Sequence, residues 1–326
     1  MSYEAQTLFY QGAYEGCIAA AGPAASKNNS NLDDPQSRAS LLYAARAHLA
    51  LNKPEAALAI LPTPTEQHRD ITAVHTLASF SQKQQAAGAV GADDADDDYA
   101  VEALHTLSEL LEEAEEAGDE SDTVQTIRIC NATVMFKDGD ALGALETLAP
   151  ASAQQQIEAV ALSVHILLSI HRPDLAQREY EAARSWADDS LLIQLIEAWL
   201  GLSTGGRAAQ QAYYVYDELA QNPGMAGSKN LVSVLIGKAA ALAIQAKYAE
   251  ADKVLADAAS LDPSNPHVLA NRAALAGHLS SGRSSDTAKE YLDQLRAVDP
   301  SHRLISDVDD KTQLFEKVAA SIAAFP

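Results

Sequence analysis

Cysteine is nearly absent from this chain: Cys17 and Cys130 are the only two in 326 residues. Two isolated thiols exclude a disulfide framework, and neither has the paired spacing of a zinc site. Both fall where a helix calls for a small apolar residue, so they read as core. Aromatic residues are scarce at 6%, which argues against a core built around large rings and for thin, closely packed, alanine-rich helices. No run of eighteen apolar residues occurs, and no basic stretch leads into an apolar one at the N-terminus, so a soluble, cytoplasmic chain is expected. Basic residues are also few. With 23 against 45 acidic side chains the formal charge is −22, which repels phosphate backbones and anionic headgroups and predicts neither nucleic-acid binding nor direct membrane insertion.

What the chain does have is a rhythm of small residues. Ala5/Cys17, Ala44/Ala56, Ala132/Ala144, Val164/Ala176 and Ala239/Ala251 are pairs twelve positions apart. Ala198/Ala212 and Ala273/Ala288 fit with longer loops, and Ala78/Ala103 fits if 84–98 is an insertion. Four positions after the second member stand bulkier residues: Ile60, Leu107, Leu148, Tyr180, Tyr216, Leu255 and Leu292. Small residues at that spacing let two antiparallel helices approach, and the larger side chain fills the groove beside them. This is tetratricopeptide-type spacing. The fold expected is all-α, an α-solenoid of about eight helical hairpins over 1–326 with a capping helix at 302–326.

Along the chain, hairpins are expected at Glu4 to Ala21 and Ser37 to Leu61. A third opens at Ile71 to Ser81, before the low-complexity acidic insertion at 84–98. Tyr99 to Ala117 resumes with Val101, Leu104, Leu107, Leu110 and Leu111 on one stripe. Leu231 to Ala246 is apolar nearly all round, as suits a helix covered on several sides. The acidic residues of the insertion and of Glu112 to Asp122 read as solvated surface, with a docking site for a basic partner as the alternative.

Three motifs suggest chemistry and fail on context. Gly201 to Gly205 spells GxSxG around Ser203, but a nucleophile elbow needs a strand before it, and SLLIQLIEAWLGL has helical spacing. Asp94, Asp96 and Asp98 open like an EF-hand, yet Tyr99 stands where glycine is required and His105 where glutamate belongs. Asn28 and Asn131 head sequons by spelling alone. No catalytic, cofactor or metal site is expected.

Binding is therefore expected on the first helices of the hairpins, which line the concave side of such arrays. Counted from the small pairs, the inward positions are Leu41, His48, Ile129, Thr133, Phe136, His165, Leu168, Leu195, Trp199, Ile236, Ala240 and Ile244. A co-chaperone of this class would place lysine, arginine and asparagine there to grip a carboxylate. These positions are apolar or small instead, which suits a long-lived partner with extensive buried contact. Ile129, Phe136, His165, Leu168, Ile236 and Ile244 are the candidate partner-binding residues.

Three stretches carry a more specific signal: EAWLGLSTGGRAAQQAYYVYDEL at Glu197 to Leu219, LFYQGAYEGCI at Leu8 to Ile18, and ILLSIHRPDLAQREY at Ile166 to Tyr180. Together they resemble, in matching order, the epsilon subunit of coatomer. Trp199, Thr204, Gly205, Gly206, Ala212, Tyr213 and Tyr214 carry most of the likeness, and the departures lie at 84–98 and Asn28 to Pro35. The resemblance implies a non-enzymatic subunit of the COPI coat that curls around and stabilises the C-terminal domain of the alpha subunit. It implies a place on Golgi membranes and vesicles in retrograde and intra-Golgi transport. The alternative is a different solenoid adaptor or assembly scaffold.

Overall fold

A computed structural model describes residues 2–22, 32–90, 98–119, 121–222, 230–279, 284–300 and 302–323. Among them are seventeen α-helices and no strand. By its internal contacts the chain divides into two compact units, Met1–Thr204 and Gly205–Pro326.

The first unit contains α1 (Ser2–Tyr10), α2 (Tyr14–Ala21), α3 (Pro35–Ala50), α4 (Pro54–Ile60), α5 (Arg69–Val90), α6 (Asp98–Ala117), α7 (Ser121–Lys137), α8 (Ala141–Leu148), α9 (Ile157–Ser169), α10 (Pro173–Ala187) and α11 (Leu191–Thr204). The second contains α12 (Gly206–Ala220), α13 (Asn230–Ile244), α14 (Tyr248–Leu261), α15 (Pro266–Leu279), α16 (Ser284–Val298) and α17 (Arg303–Ala323). Helix starts follow local chemistry. Pro35, Pro54 and Pro173 stand in the first turn, where a missing N–H costs nothing. Asp34 and Asp140 accept the backbone N–H of Ser37 and Gly143 at 3.0 and 2.8 Å.

The hairpin turns share one geometry. Gly12, Asn52, Gly139, His171 and Ala246 have positive φ, and the turns close with the same pair of hydrogen bonds. In the fourth, the His171 N–H donates to the Leu168 carbonyl at 3.1 Å and the Arg172 N–H to the Leu167 carbonyl at 2.8 Å. This Schellman closure satisfies the last carbonyls of one helix and aims the next back along it. The second small residue of the pair stands five positions after the left-handed residue in each of these turns: Cys17, Ala57, Ala144, Ala176 and Ala251.

That geometry corrects one register. The sequence reading paired Ala44 with Ala56 and placed Ile60 in the groove. In the structure Ala56 and Ile60 are only half-buried, whereas Ala45 and Ala57 are fully buried and Leu61 fills the groove at 1% exposure. The pair is Ala45/Ala57. Adjacent alanines at 44–45 and 56–57 make the two registers indistinguishable by residue type. Late in the chain Ala288 and Leu292 are half-buried and Leu295, three positions further on, takes the buried place. Ala5/Cys17, Ala78/Ala103, Ala132/Ala144, Val164/Ala176 and Ala239/Ala251 are buried as read, while Ala198 and Ala212 are buried each in its own unit.

Helix α5 continues to Val90, past the expected end at Ser81, so the first part of the 84–98 insertion extends a helix; 91–97 lie outside the described residues. One core joins α3 through α7 around Leu41, Ile71, Leu107 and Ile127, and a second joins α7 through α11 around Leu148, Ile166 and Ile196. In the second unit Gly237 of α13 has no side chain because Tyr216 of α12 occupies that space: a Cβ there would lie 2.5 Å from the ring.

Candidate partner-binding face

The residue directly after the first small residue of each pair marks the inner edge of a first helix. In the corrected register these are Gln6, Arg46, Ser79, Thr133, His165 and Trp199 in the first unit, and Ala240 and Ala274 in the second. They divide the first unit's row into a polar half and an aromatic half.

The polar half closes on itself. Arg46 of α3 forms an ion pair with Glu158 at the start of α9, 112 residues away. Tyr10 of α1 lies 3.5 Å from the same carboxylate, and Gln6 donates to the hydroxyls of Tyr10 and Tyr43, each at 2.9 Å. The Arg46 guanidinium stacks over Phe9 and Tyr43 at 4.9 and 5.5 Å. Beside Glu158 the Arg46 pKa is pushed upward against the cost of its burial. Burial first, and the Glu158 charge second, raise Tyr43 to about 12. The cavity next to this cluster, about 160 Å³, holds two arginines, but Arg38 is bound to Asp70 at 2.9 Å and Arg46 to Glu158, so neither charge is offered to an anion.

The aromatic half stays open. Phe136 of α7, His165 of α9 and Trp199 of α11 form a ladder with centroid separations of 6.0 and 6.3 Å and steep interplanar angles of 85° and 69°, the edge-to-face geometry that ring quadrupoles favour. Leu168 and Leu195 flank it, half-buried against the second core. His165 itself is exposed, yet the apolar walls exclude enough water to hold its imidazole below the ordinary pKa. The imidazole is therefore neutral at neutral pH and adds to an apolar surface.

Of the six candidate residues, Phe136, His165 and Leu168 are brought together on this ladder. Ile129 is packed into the second core at 6% exposure, because three positions before the small residue is the groove between neighbouring first helices. In the second unit Ile236 is half-buried against the core of Ala239, Leu242, Ala251 and Leu255. Ile244 ends α13, exposed, with its Cγ2 3.5 Å from the place a Cβ on Gly205 would occupy. Leu41 is core and His48 half-buried. Sequence reasoning missed Arg46, and with it the polar half. The one-residue shift at Ala44/Ala45 put Leu41 and His48 in its place, and no local signal announces a partner 112 residues away.

The remaining motifs resolve by context. Ser203 lies in the last turn of α11, exposed, with α12 starting at Gly206. Asn131 is inside α7 at 2% exposure; Asn28, Asp94 and Asp96 lie outside the described residues. Cys17 and Cys130 are free and fully buried, and burial pushes their thiols up to about 11 and about 12. No helix is long and apolar enough to cross a membrane among the described residues.

The fold alone is shared with a chain in the crystal structure of the APC/C hetero-tetramer Cut9–Hcn1, which covers 94% of this chain and 54% of its own at a TM-score of 0.59 and 14% identity. The sequence is 31% identical over 163 residues to coatomer subunit epsilon-1 of Arabidopsis thaliana, 50% of this chain and 52% of that one. The chain thus spans about half the length of the plant relatives it matches. Against coatomer subunit epsilon of Caenorhabditis elegans the match is 22% over 322 residues, covering 99% and 98%. The family model described as coatomer epsilon subunit matches residues 2–323, and the chain accordingly belongs to the coatomer epsilon subunit family.

Proposed function

We propose that this chain is a structural, non-enzymatic subunit of the COPI vesicle coat that binds and stabilises the C-terminal domain of the alpha coatomer subunit. On this reading it supports Golgi-to-ER retrograde and intra-Golgi transport, resident in the cytoplasm and peripheral on Golgi membranes and COPI-coated vesicles. Family membership supports the coat assignment. The observation that carries the binding reading is the open ladder of Phe136, His165 and Trp199 on three successive first helices. Large rings around an apolar centre are what interface hot spots are made of, and the charge of Arg46 on the same row is already paired with Glu158. Ile236 and Ile244 of the second unit are proposed to add contacts of their own.

Calorimetric titration of the full chain with the purified alpha C-terminal domain tests this. Phe136→Ala and Trp199→Ala should each lose about 2 kcal/mol of binding with unchanged circular dichroism, and salt should weaken binding only modestly, since the contact is apolar. Ile129 is unsuitable as a probe because its truncation would open a core cavity. Wild-type affinity in both ladder variants would remove the ladder from the interface.

A further inference from the structure

Charge is divided unevenly between the two layers of the first unit. The first helices α1, α3, α5, α7, α9 and α11 carry six basic and five acidic side chains, whereas α6 alone, a second helix, carries six glutamates between Glu102 and Glu116 and no lysine or arginine. The layer that holds the aromatic ladder is therefore close to neutral, within a chain of −22.

Five of those six cations are spent. Arg38, Arg46, Arg69, Lys83 and Arg128 each hold a carboxylate of the same unit. Lys137, in the last turn of α7, is the sixth, and among the described residues no ion pair holds it. It follows Phe136 directly and stands four residues, about one turn, beyond Thr133 of the inner row. The same step on the two neighbouring first helices leads from Ser79 to Lys83 and from His165 to Ser169, so no acidic side chain stands beside it at this level. Lys137 is exposed, yet the surrounding protein excludes enough water to draw its pKa down, with no charged neighbour contributing. His165, in the middle of the ladder, shows the same combination of exposure and desolvation, as a side chain does on a concave wall. A cation short of water and without a counter-charge raises the free energy of the unbound protein, and a carboxylate arriving with a partner recovers it.

We propose that Lys137 is the specificity-determining residue of the ladder: the segment that covers Phe136, His165 and Trp199 carries an acidic side chain beside its apolar anchor, and that carboxylate pairs with the Lys137 ammonium. The inference rests on the ladder being the interface with the alpha subunit, and it adds the chemistry of the segment bound there. A single ammonium is a point charge that an internal aspartate or glutamate satisfies; it lacks the converging donors that a chain end requires. It also rejects basic segments, which a near-neutral apolar face would otherwise admit.

Calorimetric titration of the full chain with the purified alpha C-terminal domain, at low and at physiological salt, tests this. Lys137→Met keeps the apolar stem and removes the charge. At low salt it should bind roughly three- to tenfold more weakly than wild type, with unchanged circular dichroism, and the gap should narrow as salt rises. Lys137→Glu should bind more weakly still, and Lys137→Arg within about twofold of wild type. Wild-type affinity in Lys137→Met, or a deficit that salt does not narrow, overturns the inference; if Phe136→Ala and Trp199→Ala still lose binding, the ladder reading survives it. Wild-type affinity in both ladder variants removes the ladder from the interface and this inference with it, whatever Lys137→Met does.

Discussion

Placing leucine at position 57 or at position 56 separates the two registers of the α3/α4 hairpin by their energy. Ala57 faces Ala45 at full burial, and the Schellman turn at Asn52 fixes the approach of the two helices. Leucine adds three carbons where no void accepts them, so the helices must separate or the side chain leave its rotamer, at about 1–3 kcal/mol. Ala56, one residue away, is half-buried and can turn a leucine toward solvent, with a change within about 0.5 kcal/mol. A chain of this size shifts its melting midpoint by about 2 °C per kcal/mol, so Ala57→Leu should melt roughly 2–6 °C lower and Ala56→Leu within about a degree. Differential scanning calorimetry resolves that difference. Equal loss in both variants, or a larger loss at position 56, would refute both the register and the rule that the second small residue stands five positions beyond the left-handed turn. Ala251→Leu, in the same place after Ala246, should behave like Ala57→Leu.

Ala246 holds a left-handed backbone without glycine's freedom, at φ 60°; removing its Cβ relieves about 1 kcal/mol of strain against a smaller entropic loss in the unfolded chain, so Ala246→Gly should raise the urea midpoint slightly, and a lower midpoint contradicts the strain argument. Glu158→Gln leaves the buried Arg46 guanidinium without its counter-charge and should cost on the order of 3 kcal/mol, read by chemical denaturation, whereas a cost no larger than that of an exposed pair would mean the cluster is solvated. The Cys130 thiol is raised from 9.0 to about 12 by burial. The unfolded chain therefore loses its thiol proton first as pH rises. Stability conferred by the neutral thiol is intact below pH 9 and falls between about pH 9 and 12, by up to about 4 kcal/mol. Cys130→Ala should flatten that alkaline limb, and an unchanged slope would assign it elsewhere.

The hairpin architecture was legible because small residues at helix crossings are dictated by backbone contact, and nothing larger than alanine or valine fits at Ala132, Val164 or Ala239. Helix identity was legible for the same reason at α13, whose apolar circumference calls for cover. The aromatic ladder was legible in part. Phe136 and His165 follow by counting from intact pairs, while Trp199 was named among the inward positions but could not be assigned to surface or layer from its type. Arg46 was not legible, because alanine runs leave the register free by one residue and a helix turns 100° with each step. The end of α5 was missed for a related reason. Alanine and glutamine in 84–90 are good helix formers, and low complexity was read as loop where propensity favours continuation.

A repeat array ordinarily stores its stability in nearest-neighbour terms, so that one end can fray while the other holds. The Arg46–Glu158 brace adds a term that skips two intervening first helices, α5 and α7, and is satisfied only when α3 and α9 are both in place. Loss of either end therefore removes energy from the other, and the intervening repeats lie inside a closed loop of interactions. The N-terminal part of the first unit thus departs from one-dimensional statistics: α1, α3 and α9 gain and lose their amide protection as one cooperative block, while the stretch beyond α9 is left to the graded behaviour of an open chain of hairpins.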